Sequence, residues 1–236
     1  MSIDIEADLR YPTNADDWVE TLLIGAVLIL LGVLVLPMFL VLSYYLRVAR
    51  WSMRGEERPP SFTESGALFV DGVKAAAVLL AYQLVPLLAF AFTSVLVLIP
   101  VLSDGNVAMR VSVLGIVAGI AISSLLSLVF GYFGVVGMLN VAREGTLRAG
   151  FDFGRVRRVA FDREYAVRWL YAFVLLLGVN VLIGVVAVIP VVGWLVVPLA
   201  SFYVGIVASR IYGRGYARAL DDGARATDVS PNETVA

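Results

Sequence analysis

The chain has 236 residues, 60% of them hydrophobic and 16% charged, with 18 basic against 19 acidic side chains and a formal net charge of -1. Soluble globular chains run near half apolar and about a quarter charged, so this composition points to a membrane protein. Cysteine and histidine are both absent, which excludes disulfides and removes the usual ligands of zinc, copper, haem and iron–sulfur centres; no cofactor and no nucleic-acid partner is expected.

Charged residues are missing from four long stretches, Thr21 to Leu46, Ala75 to Ser103, Val111 to Ala142 and Trp169 to Ser209. About 20 apolar residues suffice to cross a hydrocarbon core of roughly 30 Å. The last stretch is about twice that length and must fold back, and Pro190 and Gly193 supply the break. The sequence therefore predicts an all-α, polytopic transmembrane helical bundle of about five spans, at 21–46, 75–103, 111–142, 169–189 and 191–212, with amphipathic helical segments on the cytoplasmic side.

In chain order, residues 1–20 carry Asp4, Glu6, Asp8, Asp16, Asp17 and Glu20 against Arg10 alone. A secretory signal has a basic start and a short apolar core, so this segment reads as an acidic, extracytoplasmic N-terminal region. The integral membrane domain follows over 21–215, and residues 216–236 read as a disordered cytoplasmic tail. After the first span, Gly55 to Pro60 forms a turn signal, and Ser61 with Glu64 makes a capping box that starts a helix whose Phe62, Leu68, Phe69 and Val73 face lipid. After the third span, Phe151, Phe153, Val156, Val159 and Phe161 interleave with Arg155, Arg157 and Arg158. An apolar face beside a basic one suits the lipid headgroup layer, so these three arginines are the candidate headgroup contacts.

Orientation follows from the arginines. With five spans, 16 of the 18 basic residues fall on one side, leaving Arg10 and Arg110 on the other. Positive loops stay in the cytoplasm, which predicts a multi-pass protein of the cell membrane with its N-terminus outside and its C-terminus cytoplasmic.

Within the spans, Gly115, Gly119, Ser123, Ser127 and Gly131 recur every fourth residue, and Ser201, Gly205, Ser209 and Gly213 do so in the last span. Small residues at this spacing let two helix backbones approach closely, so both stripes read as helix-packing faces. Gln83 and Asn180 are the candidate polar lining. The four uncharged stretches lack the ionisable groups that mark proton relays and ion-coupled transport. A membrane serine protease lacks its base here, and a metalloprotease lacks its histidines, so an enzyme is not expected. Three inward-running spans end alike, at Val48-Ala49-Arg50, Val141-Ala142-Arg143 and Tyr216-Ala217-Arg218. That predicts a parallel internal repeat, with residues 21–103 overlaying 111–189.

At Leu46-Arg47-Val48-Ala49-Arg50, the turn 55–60, Leu68-Phe69-Val70-Asp71-Gly72-Val73-Lys74 and Phe151-Asp152-Phe153, the chain resembles the uncharacterised archaeal membrane family called domain of unknown function 4013. The resemblance covers residues 20 to 215, and the Phe-Val-Asp-Gly-x-Lys stretch is its most specific element. It implies a halophilic archaeal setting and brings no activity or catalytic residue. More loosely, the chain is similar to membrane domains attached to some bacterial glycerophosphodiester phosphodiesterases, which implies proximity to lipid. The functional expectation is a non-enzymatic membrane scaffold or accessory subunit, with membrane lipids and other membrane proteins as partners. The alternative is a permease or channel for an uncharged or amphiphilic solute, which requires a cavity shared by Gln83, Asn180 and the serines of the third span.

Overall fold

The computed structural model describes residues 4–62, 65–101 and 106–228, and these fold as an all-α bundle. The helices are α1 (Ile5–Arg10), α2 (Trp18–Leu30), α3 (Leu36–Met53), α4 (Ser65–Val101), α5 (Asn106–Glu144), α6 (Phe153–Ala160), α7 (Arg163–Ala187) and α8 (Val192–Asp228). Asp4, Asp152 and Asp162 cap α1, α6 and α7, each accepting a hydrogen bond from a backbone N–H three residues on. Among the described residues four helices are long and apolar enough to cross a membrane, over Phe69–Leu96, Val113–Glu144, Arg163–Ala187 and Val192–Asp221. The pair Ile5–Thr13 and Trp18–Leu34, bent by 85°, reaches that standard only together.

The first expected span, 21–46, is not one helix. A 3-10 turn over Leu31–Leu34 follows α2, and the chain then reverses at Val35, whose φ is 65°. Pro37 sits in the first turn of α3, where its missing N–H is harmless, but it cannot continue the hydrogen-bond ladder of a preceding helix. A β-branched residue at positive φ is strained, and the surrounding turn must hold it there. The break between α7 and α8 uses the same parts, with Val191 at φ 65° directly after Pro190.

The excursion through α2 and α3 closes on itself. Tyr11 donates its hydroxyl to the Arg58 carbonyl at 3.2 Å, and the Asn14 amide donates to the Glu57 carbonyl at 3.1 Å. The chain therefore enters α2 and leaves α3 at the same end of the bundle. That end also holds the α5–α6 connection and the C-terminal part of α8, since Arg50 reaches the Ala142 carbonyl and Asp8 reaches Arg210. The acidic N-terminal segment packs, through Asp8, against Arg210 and Arg214 in the second half of α8.

From this basic end α4 runs away and α5 returns, and α7 and α8 do the same. The two hairpins, α4–α5 and α7–α8, are joined by α3, which supplies residues to three of the four hydrophobic clusters. Leu46 packs with Ala75, Val78 and Val141, Ala49 with Leu139 and Tyr216, and Tyr44 and Val48 with Phe202 and Ile206. Further from this end the helices turn apolar side chains outward, among them Leu88, Leu114, Leu125, Leu182 and Trp194.

The expected overlay of 21–103 on 111–189 fails, because the first of these segments reverses at Val35 whereas 111–142 lies inside one unbroken helix. The expected disorder over 216–236 does not hold for residues 216–228, which continue α8. Residues 229–236, and the capping box through Glu64, lie outside the described residues.

Candidate functional site

The polar chemistry of the molecule is concentrated at the basic end, and it begins with the N-terminal segment. Asp8 is completely buried and accepts hydrogen bonds from Arg210 Nε at 3.0 Å and Arg214 Nη1 at 2.9 Å. The Arg210 guanidinium also lies 4.1 Å from the centre of the Tyr11 ring, a cation–π contact. Tyr203 donates its hydroxyl to the Leu9 carbonyl at 2.5 Å. Two arginines and a ring thus hold one carboxylate, and α1 is fixed to α8.

The second element is the Phe69–Lys74 stretch. Asp71 bridges Arg50 at 3.4 Å and Lys74 at 3.3 Å. Arg50 Nε donates to the Ala142 carbonyl at 2.5 Å and Lys74 Nζ to the Gly145 carbonyl at 2.9 Å. These cations satisfy carbonyls at the C-terminal end of α5, where the helix dipole is negative. Gly72 is required by contact: a Cβ there would sit 1.9 Å from the Phe39 carbonyl oxygen. Phe39 and Phe69 meet edge to face at 5.6 Å between ring centroids. The most specific stretch of the sequence therefore locks α3, α4 and α5 together.

The third element is a cleft of about 310 Å³ between α3, α5 and α8, with Arg50, Arg54, Arg143 and Asp221 on its walls. Tyr216 also lines it, and its hydroxyl donates to Asn140 Oδ1 at 2.5 Å. The sequence places Arg50 and Arg143 among the orienting basic residues and at like ends of two spans, and Arg50 in the Leu46–Arg50 stretch, but does not bring the two together. Their meeting in one cleft depends on the crossing of α3 over the hairpins, which periodicity does not report.

Of the predicted headgroup arginines, Arg155 pairs with Glu144 and with Asp152, and the Glu144 hydrogen bond holds its guanidinium above its ordinary pKa. Arg157 and Arg158 are exposed. The apolar face expected beside them is divided: Val156 and Val159 are buried in the bundle, Phe151 stacks on Tyr82, and Phe153 and Phe161 point outward at 67% and 77% exposure. An exposed surface of two rings and two arginines remains on α6 and its C-cap, Phe161.

The small-residue stripes lie against neighbouring helices. A Cβ on Gly119 would meet Thr93 of α4 at 2.9 Å, and one on Gly131 would approach Gln83 at 3.4 Å. Ser127 donates to Gln83 Oε1 at 3.3 Å, Ser123 is buried, and Gly115 lines a groove with Thr93. On α8, Gly205 meets the Tyr45 ring and Gly213 the Ala49 carbonyl. Ser209 is buried and bonds back to the Gly205 carbonyl at 2.7 Å, and Ser201 is half-buried. Gln83 and Asn180 do not share a lining. Gln83 is taken up between α4 and α5, while Asn180 is exposed on α7 and donates to the Leu176 carbonyl of its own helix at 2.7 Å. Helical spacing gives each residue a face but does not say which helix that face meets.

Among the described residues no group of three or more acidic side chains is placed to hold a metal ion. No curated protein and no solved structure matches this chain. A family described as "Protein of unknown function (DUF4013)" matches residues 26–192, which run from α2 through α7 and include the Asp71–Lys74 bridge and the α6 surface. The chain, a membrane protein by its apolar helices, belongs to the DUF4013 family.

Proposed function

We propose that this protein is a non-enzymatic scaffold or accessory subunit of the cell membrane, whose working face is the basic end, on the cytoplasmic side. The observation that carries this reading is the placement of order. The buried ion pairs and the α3 contacts gather at that end, whereas the far halves of the hairpins present apolar side chains outward. The exposed Phe153, Arg157, Arg158 and Phe161 add a ready contact for lipid headgroups or a membrane partner. The charge rule supports the sidedness. With α1 at the basic end, Arg10 joins the other cations there, and Arg110, near the start of α5, lies toward the far end. In this reading both chain ends are cytoplasmic. The permease alternative is disfavoured by Gln83 and Asn180 lying on separate hairpins, one of them facing out.

Two measurements test it. The native chain lacks cysteine, so single cysteines placed at Thr13, Gly55 and Thr146 can be labelled cleanly. All three are expected to resist a membrane-impermeant maleimide in intact cells and to react in inverted vesicles, with Val188→Cys doing the reverse. Labelling of Thr13→Cys alone in intact cells would restore the opposite-face arrangement. Proteoliposomes containing the purified protein are expected to swell in glycerol, urea or erythritol no faster than empty vesicles. Swelling that is lost on Gln83→Leu would replace the scaffold by a solute pathway.

A further inference from the structure

The cleft at the basic end has a composition that the packing does not explain. It forms where the C-terminal ends of α3 and α5, with Arg50 and Arg143, meet the side of α8 at Tyr216 and Ala217. Arg50 is engaged on its floor by the Ala142 carbonyl and Asp71. Arg54 and Arg143 are exposed and have no carboxylate within salt-bridge distance among the described residues. Lys74 offsets Asp71. Glu144, which also faces Tyr216, is offset by its partner Arg155. Among the described residues the remaining negative charge is Asp221 on the wall and the C-terminal ends of α3 and α5, each end worth roughly half a charge. Three arginines against these leave a positive surplus inside a concave space. The Tyr216 hydroxyl, fixed by Asn140, stands on the same wall as Arg143. Met53 and Leu220 complete the lining and make it half apolar.

We infer that this cleft binds a phosphate-bearing anion, and that the anion is the headgroup of an anionic phospholipid. Guanidinium groups match phosphate oxygens in geometry as well as charge. A basic pocket between helices at the cytoplasmic side of a membrane protein is a suitable receptor for such headgroups. The apolar part of the wall favours a ligand whose phosphate continues into hydrocarbon over free phosphate. The site is separate from the α6 surface, and the inference does not depend on the chain being a scaffold.

The test is binding to the full-length protein in a neutral detergent, read by native mass spectrometry and by lipid-dependent melting. The probes are phosphatidylglycerol, phosphatidylcholine, glycerol 3-phosphate and inorganic phosphate. Phosphatidylglycerol is expected to bind in preference to phosphatidylcholine. Arg54→Gln or Arg143→Gln is expected to weaken it about fivefold, and the double variant about 30-fold, since each arginine near a membrane surface contributes about 1 kcal/mol toward an anionic lipid. Both side chains are exposed, so the lipid-free melting temperature should be unchanged, and Arg54→Gln alone serves if the double variant fails to fold. Arg157→Gln with Arg158→Gln should leave the cleft affinity intact. Glycerol 3-phosphate or inorganic phosphate binding as tightly as the lipid, and lost in the same variants, assigns the site to a free anion and overturns the headgroup. Unchanged phosphatidylglycerol binding in the double variant, or an equal loss in the α6 variant, overturns the site.

Discussion

Asp8→Ala is expected to destabilise the protein by about 3–5 kcal/mol, the usual cost of removing one partner of a buried ion pair. The side chains of Asp8 and Arg210 are 1% and 3% exposed, so little solvent screening reduces the effect. Arg214 is 28% exposed and can turn outward, but Arg210 is held under Tyr11 and keeps its charge buried. Thermal denaturation in detergent measures the loss, and trypsin should cut at Arg10 in the variant well before the folded parent is cut. A second variant separates the pair from the packing. Asp8→Ala combined with Arg210→Met should recover most of the stability, because no uncompensated buried charge remains once Arg214 turns outward. If Asp8→Ala melts with the parent, α1 is not anchored as described.

Gly213→Ala and Gly72→Ala should each cost about 1–3 kcal/mol or more, through overpacking alone. A Cβ at Gly213 would lie 2.4 Å from the Ala49 carbonyl oxygen, and one at Gly72 1.9 Å from that of Phe39. Both obstacles are backbone atoms of α3, so relief requires the whole helix to move. The internal comparison is Gly178→Ala and Gly184→Ala on α7, where an added Cβ meets nothing within 4 Å. These should be neutral or stabilising by up to about 1 kcal/mol, because alanine is the better helix former. In lipid, burial of apolar area contributes little between helices, so close approach governs their association. Gly205→Leu, which would drive a side chain into the Tyr45 ring 2.3 Å from its Cβ, should resemble Gly213→Ala. The melting curves of these five variants decide the matter, and equal shifts at Gly213 and Gly178 would refute the crossing of α3 over α8.

The charge-free stretches showed in sequence that the protein is helical and membrane-embedded, because a hydrocarbon core admits few charges and a run of span length satisfies its backbone polar groups there as a helix. The break at Pro190 was legible for the same reason: a 41-residue run cannot be one span. Pro37 is an equal signal, yet it lies in a run of ordinary span length, so length gave no reason to break it. The arginine count was blind to the difference. A through-span and a returning hairpin both deliver Arg50 and Arg54 to the same side, and acidic residues such as Asp8 carry little weight in the rule.

Sequence alone therefore determined the class, the long spans and which residue types line the helix faces, all of which depend on neighbours along the chain and on the solvent. Only the tertiary structure decided that the first run reverses at Val35, that Asp8 meets Arg210 across 202 residues, and that Arg50 and Arg143 open on one cleft. Those facts rest on contacts between helices far apart in sequence, where the direction in which α3 crosses its neighbours fixes which side chains meet, and no local period encodes that direction.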